Sequence, residues 1–286
     1  MIRPMALAGA HMECGRLKDT VPVLTDLLGF EKVAEGEGYV TLTHPNSDWW
    51  LSVHEAPEDA PSKLMANHYG VRVATKREVD AAHDYLTAHK EQYGLPRVGK
   101  PAFSHGSYSL YFVEPGTNGW EIECYEDVLR KELGGTRLGG VRAPHWDRLL
   151  PPEAFPGRGY VPQAFTHGTL AARDIEVSRR FYAEVLGLEV HRAREHVVYI
   201  KHPRGKCYIV CVVRTEWKSY SPNFGFALTL PSEAALAEAH RWLAQAGPDL
   251  GVTGLREIKS DGERSSFLLC DPDENWWELL ADGSPS

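Results

Sequence analysis

Apolar and polar residues alternate with period two in GYVTLTH, DWWLSVHE, HVVYIKH and CYIVCVV, the pattern of half-buried strands. Other stretches carry apolar residues at helical spacing: RLKDTVPVLTDLLG, KREVDAAHDYLTAHKE, IEVSRRFYAEVLG and SEAALAEAHRWLAQAG. The first and third of these are expected to end at Gly29 and Gly187, because the left-handed position after a helix favours glycine. Each helix follows a short opening strand (ALAGAHMEC, HYGVRVA, AFTHGTLAA, FGFALTL) and precedes further strands. The order strand, helix, strands therefore occurs four times, and the predicted fold class is α+β, built of βαβββ modules.

The four modules fall into two related halves. A slide of 157 residues brings EPGTNGWEIE (Glu114–Glu123) onto DPDENWWELL (Asp271–Leu280), matching Pro115 to Pro272, Asn118 to Asn275, Trp120 to Trp277 and Glu121 to Glu278. The same slide matches His83 to His240 and Leu86 to Leu243. With one residue of slippage, His11 meets His167, Leu28-Gly29-Phe30 meets Leu186-Gly187-Leu188, and His44-Pro45 meets His202-Pro203. The expectation is two tandem domains, 1–128 and 160–286, each of two βαβββ modules forming a cupped mixed sheet around a cavity. Residues 129–159, rich in Gly, Pro and Arg, read as a linker that packs in part on a domain surface.

Composition narrows the function classes. With 31 Lys+Arg against 39 Asp+Glu the formal net charge is −8, which offers no footprint for nucleic acid or an anionic membrane. No apolar run is long enough to span a bilayer, and the N-terminal stretch is too interrupted for a secretory signal. The 5 cysteines form no CxxC pair and suit free thiols in a reducing cytoplasm. A cytoplasmic protein that handles small molecules, as a homo-oligomer, is the expectation.

Strand parity then selects candidate chemistry. His68, Gly70 and Arg72 share one face of their strand, opposite Tyr69, Val71 and Val73; Glu121 and Glu123 lie opposite Trp120 and Ile122; His11 lies opposite Ala10 and Met12. His11, His68 and Glu121 thus fall on the faces that helices do not cover. Two imidazoles and a carboxylate on a concave sheet are costly unless something satisfies them, and they form the set that holds non-haem Fe(II) with positions left open. Mn(II) accepts the same ligands. Arg72 on the same face is either an anion-binding group or half of a buried ion pair. His145-Trp146 in the linker is either a cover for the cavity mouth or a surface anchor.

The βαβββ order and the segments HMEC…LGF, NHYGVRV and LYFVEPGTNGWE resemble the vicinal oxygen chelate superfamily, and within it the two-domain type I extradiol ring-cleavage dioxygenases. The family signature is met by His105, Leu110-Tyr111, Glu114-Pro115 and Glu121, with a shorter His–Tyr gap and with Thr117 where Gly or Pro is usual. The resemblance implies that His11, His68 and Glu121 bind the metal, that His54 moves protons and that Tyr111 donates a hydrogen bond to a substrate oxygen. It also implies a small aromatic diol and O2 as reactants. The second half keeps His167 and Glu278 but has Gly225 or Phe224 for His68, Leu268 for Tyr111 and Cys211 for His54. The metal is therefore expected in the first half, with the second degenerate. Two other readings stand beside this one. One is a glyoxalase-like metal-dependent isomerase or lyase, which wants a further carboxylate ligand on the strand of His54; the other is a non-catalytic binding protein of the same superfamily.

Overall fold

The structure is a computed structural model of the 286-residue chain, and it describes residues 1–57, 60–127, 137–260 and 264–282. The first module comprises β1 (Ala6–Cys14), α1 (Leu17–Pro22, continued by a π turn through Leu27), β2 (Glu31–Gly36), β3 (Tyr39–Thr43) and β4 (Trp50–Glu55). The second has β5 (His68–Arg72), α2 (Lys76–Ala88), β6 (Arg97–Val98), β7 (Ala102–Ser104), β8 (Ser107–Val113) and β9 (Gly119–Cys124). The third has β10 (Ala164–Ala172), α3 (Ile175–Arg180, continued by a π turn through Val185), β11 (Glu189–Arg194), β12 (Val197–Lys201) and β13 (Tyr208–Val213). The fourth has β14 (Gly225–Leu230), α4 (Glu233–Ala246), β15 (Gly254–Leu255), β16 (Lys259–Ser260), β17 (Ser265–Cys270) and β18 (Trp276–Ala281).

Local chemistry starts and stops the helices, and the ends at Gly29 and Gly187 are those the sequence predicts. Thr75 and Glu78 form a reciprocal capping box on α2, Asp174 caps α3 and Ser232 caps α4. Gly29 and Gly187 take φ of 77° and 71° where the first and third helices end.

The sheets do not follow the halves. One runs β15-β17-β18-β14-β1-β4-β3-β2 and joins the fourth module to the first. The other runs β11-β12-β13-β10-β5-β9-β8-β6 and joins the third to the second. The junctions are antiparallel pairs of opening strands, β1 with β14 and β10 with β5. The sequence reading has residues 1–128 and 160–286 each closing its own cup; the structure instead builds each cup from one module of either half. The expected boundary at 128/129 falls in residues 128–136, which lie outside the described ones.

One core unites the two sheets. Trp49 packs on Phe165 and on Phe226, with ring centroids 5.7 and 5.5 Å apart, and Tyr69 packs on Trp120 and Phe165 at 5.5 and 6.3 Å. Aromatic residues of all four modules meet there, so this burial rather than local propensity fixes which opening strands pair. Trp49, Trp120 and Trp277 are fully buried in this core. Among the described residues no helix is long and apolar enough to cross a membrane.

Of the described linker residues, Gly139, Val141 and Ala143 lie against the second sheet, while Arg148 and Phe155 meet Asn46 and Gly29 of the first module. Arg72, 1% exposed, holds the Val141–Ala143 stretch by donating to the carbonyls of Ala143 (2.5 Å) and Val141 (3.1 Å). Arg72 also pairs with Glu123 and meets His145 Nδ1 at 2.8 Å, so of its two readings the structure supports the buried ion pair. His145 is buried against Arg72 rather than spread over a cavity mouth, and burial together with Arg72 pushes its pKa down to about 3.

Candidate metal centre

Three strands of the second sheet converge on one point. On β9 the expected alternation holds, with Glu121 and Glu123 turned to the concave face. Beside it β5 runs parallel, placing Gly70 opposite Glu121 and His68 one pleat earlier on the same face. On the other side of β5, β10 runs antiparallel with His167 opposite Gly70. That glycine is a packing requirement: a Cβ there would lie 2.0 Å from His167 Cε1, so the imidazole fills the space a side chain would need.

Among the described residues, His68, Glu121 and His167 form the one group of His, Cys, Asp or Glu side chains with ligand atoms close enough to share an ion, all within 4.8 Å of one another. Nε2 of His68 and Nε2 of His167 stand 3.4 and 3.3 Å from Glu121 Oε2. The far nitrogen of each ring is engaged. His68 Nδ1 donates to the Met65 carbonyl at 2.7 Å, and His167 Nδ1 meets Thr166 Oγ1 at 3.0 Å, which donates to Glu123 Oε1 at 3.1 Å. Such contacts fix the tautomer and leave both Nε2 lone pairs for an ion. The other Glu121 oxygen, Oε1, is buried without a hydrogen-bond partner. Two imidazoles, a carboxylate and an orphaned oxygen fit a divalent metal with coordination positions left open.

The centre opens on a cavity of ≈ 270 Å³ walled by Tyr125, Tyr199, Tyr208, Val197, Val210 and Val212. At its edge stand His105 and Tyr111, with Nε2 and the phenol oxygen 2.8 Å apart and His105 Nε2 3.5 Å from Glu121 Oε1. His105 and Gly106, with φ of 37° and 100°, are the two-residue turn between β7 and β8. The tight hairpin thereby aims the imidazole over the centre.

Charge in the centre is balanced without an ion by protons. Burial disfavours the His167 imidazolium, but Glu123 and Glu121 outweigh it and hold its pKa up at about 9. Burial likewise opposes ionisation of Glu121, yet hydrogen bonds from His167 and His68 keep it well below the usual carboxylate range. A divalent ion must therefore displace the His167 proton. Its affinity should rise about tenfold per pH unit from neutrality and level off near the His167 pKa of about 9. Competition with a chelator of known pH dependence checks this; a flat profile would show that His167 carries no proton to lose.

Residues 164–279 match the family model of the Glyoxalase/Bleomycin resistance protein/Dioxygenase superfamily. The chain is also 32% identical over 117 residues to the glutathione transferase FosA of Serratia marcescens, an alignment covering 41% of this chain and 79% of that protein. The chain belongs to this superfamily, the vicinal oxygen chelate group. Solved structures share the whole fold. A "putative dioxygenase" of Bacillus subtilis subsp. subtilis str. 168 aligns with TM-score 0.62 and 11% identity over 99% of this chain and 86% of its own. Glyoxalase I from Zea mays aligns with TM-score 0.63 and 14% identity over 96% and 92%. The vicinal oxygen chelate superfamily includes metal-dependent enzymes, dioxygenases and glyoxalases among them.

Within this superfamily fold, the structure brings together His68, Glu121 and Tyr111 of the residues singled out from sequence, and it separates His11 and His54 from them. His11 lies in the other sheet, where its Nε2 meets Glu278 Oε2 at 2.8 Å and its Nδ1 meets His54 Nε2 at 3.0 Å. Burial and His11 push the His54 pKa down to about 4. The reason is the crossed pairing of modules: the first-strand histidine beside His68 comes from β10, so His167 replaces His11. The two histidines are not equivalent either. Gly9 pairs with Trp50 as His167 pairs with Tyr208, so His167 answers to Gly9 and His11 to Thr169. The offset of 158 residues that joins Gly29 to Gly187 and His44 to His202 already carried this signal. Glu123, placed by strand parity on the face of Glu121, braces His167 through Thr166; Thr166 and the Met65 carbonyl had no sequence signal of their own.

Proposed function

We propose that the chain is a metal-dependent dioxygenase of the extradiol type, opening the ring of a small aromatic diol with O2, with Fe(II) held by His68, Glu121 and His167. The observation that carries this reading is the donor set itself: two imidazoles and one carboxylate facing an aromatic-walled cavity. When bound, Fe(II) in such a set lowers the pKa of a chelating diol and activates O2.

The chain's own residues supply the rest. The Tyr and Val walls orient a flat ring and exclude water. Burial and the nearby Glu121 push the Tyr111 pKa up, so its phenol stays protonated and donates to a substrate oxygen. His105 Nε2, beside that phenol, is the group positioned to take a proton from the diol and return it later. This role moves to His105 from His54, whose counterpart in the second sheet, by its pairing with β12, is Val212.

The glyoxalase-like reading wants a further carboxylate on that same strand, and β13 turns Tyr208, Val210 and Val212 to the cavity instead. A non-catalytic binding protein would leave the His, His, Glu set without a use. Anaerobic loading with Fe(II), followed by O2 uptake with a panel of catechols, tests the proposal. One O2 consumed per diol with a yellow ring-opened product is the expected result, and metal-loaded protein that consumes none overturns it. His105→Ala should keep its iron and lose turnover by roughly 100-fold or more, while His54→Ala should turn over normally.

A further inference from the structure

The cavity at the metal centre continues outward. A groove of ≈ 520 Å³ shares His68, His105, Tyr111 and Arg214 with the inner space, so the two are continuous. Positive charge gathers along it from both halves of the chain. Arg194 of β11 and Arg214, just beyond β13, line the inner space, and Arg97 of β6 lines the groove. Strand register turns all three to the concave side. Arg194 pairs with Val197, which pairs with Val212, and both valines wall the cavity. Arg214 follows Val212 by two residues, and its backbone N–H still donates to the Ala172 carbonyl, so the alternation runs through it. Arg97 pairs with Val113, which shares the face of Tyr111 on β8. All three arginines are exposed, so an entering ligand can reach them. Among the described residues none of these guanidiniums has a carboxylate or hydrogen-bond partner, whereas Arg192 of β11 pairs with Glu176. Glu216 is the one carboxylate among the described residues that lines the groove, and it leaves the positive charge in excess.

We infer that Arg194 and Arg214 bind a carboxylate of the substrate, carried on a short side chain that points away from the metal centre. A guanidinium is cheap to keep in water, and an open surface ion pair gains little. Within a cleft its planar fork takes a carboxylate through two parallel hydrogen bonds, which adds both strength and direction. Register sets the reach. Thr169 accepts from the backbone N–H of His68 and pairs with Val210, while Val212 and Arg194 stand one pleat farther out, roughly 7 Å along the strand. A ring with its near edge at the metal centre spans that distance. A side chain of one or two carbons on its far edge then brings a carboxylate between the guanidiniums, and Arg97 across the groove adds to the field that draws the anion in. The substrate class this adds to the proposed reaction, on which it rests for the ring diol, is a catechol bearing a short acidic side chain.

The test compares acids with their amides. Catechols bearing a carboxylate directly, through one methylene or through two are each set against the matching primary amide, which has the same shape and no charge. Binding is followed anaerobically by titration calorimetry on the full-length protein, with and without Zn(II), a redox-inert ion. At one or two methylenes the acid should bind roughly tenfold or more tightly than its amide, and the difference should shrink as salt is added. Arg194→Gln combined with Arg214→Gln should bring the acid down to the affinity of the amide. Both positions are exposed, so the fold should tolerate the change. Arg192→Gln removes a charge from the same strand but outside the cavity lining, and should keep the preference. Equal binding of acid and amide at every length, or a preference that survives the double substitution, overturns the inference. So does an equal loss in Arg192→Gln, which would make overall charge responsible. Oxygen uptake is a separate readout. Without uptake from any catechol but with the acid preference intact, the reaction falls and the anion site stands; uptake with the same KM for acid and amide keeps the reaction and removes the site.

Discussion

His167→Ala should strip the protein of divalent metal, while His11→Ala and Glu278→Ala should leave it bound at full stoichiometry. Nε2 of His167 is one of three candidate ligand atoms gathered within 4.8 Å, and no other His, Cys, Asp or Glu among the described residues joins them to take its place. Loss of one ligand in three is expected to cost about 3 kcal/mol or more, roughly a hundredfold in affinity. Removal of the ring also frees Tyr208, which stacks on it at 5.2 Å, but the space created merges with the adjoining cavity, so the fold should survive. His11 and Glu278 hydrogen-bond each other in the opposite sheet, where the positions answering to His167 and His68 are Gly9 and Gly225. Metal content after gel filtration, with far-UV circular dichroism as the check on folding, decides the matter. Metal retained by His167→Ala and lost by His11→Ala would move the centre to the first sheet.

Gly70→Ala should be nearly as damaging although it removes no ligand. The new methyl would sit 2.0 Å from Cε1, 2.5 Å from Nδ1 and 2.6 Å from Nε2 of His167, an overlap that no rotamer of the methyl can avoid. The imidazole must swing away from Glu121 and lose its Thr166 contact, so metal retention should fall to the level of His167→Ala. Overpacking at this buried ladder position should also cost about 1–3 kcal/mol of stability, read as a lower Tm of the metal-free protein. Full metal content in Gly70→Ala would mean that the ring does not occupy the space beside residue 70.

Much of this was legible from alternation alone. The parity of β5 and β9 placed His68 and Glu121 on the concave face, while Tyr111 beside them followed only from the resemblance to the superfamily. Helix ends followed from Gly29 and Gly187. What the pattern did not carry was partner choice between modules. All four opening strands have the same apolar rhythm, so nothing local tells β1 to pair with β14 or β10 with β5; that is decided by how Trp49, Phe165 and Phe226 pack in three dimensions. The sequence alone therefore points to His11 as a ligand and leaves His167 in the half expected to be degenerate. His105 lies in a turn, where strand parity says nothing, and its aim depends on a left-handed backbone conformation.

The crossed pairing of opening strands has a consequence for inheritance. Two genes born of one duplication usually leave a spare copy free to drift, but here neither copy is spare. The candidate ligands at positions 68 and 121 belong to the front copy and the one at position 167 to the rear, while the answering positions 9 and 225 are glycines held by the close approach of Trp50 and Trp276. A break in the gene between the copies would leave two products, each carrying only part of the candidate set of His68, Glu121 and His167.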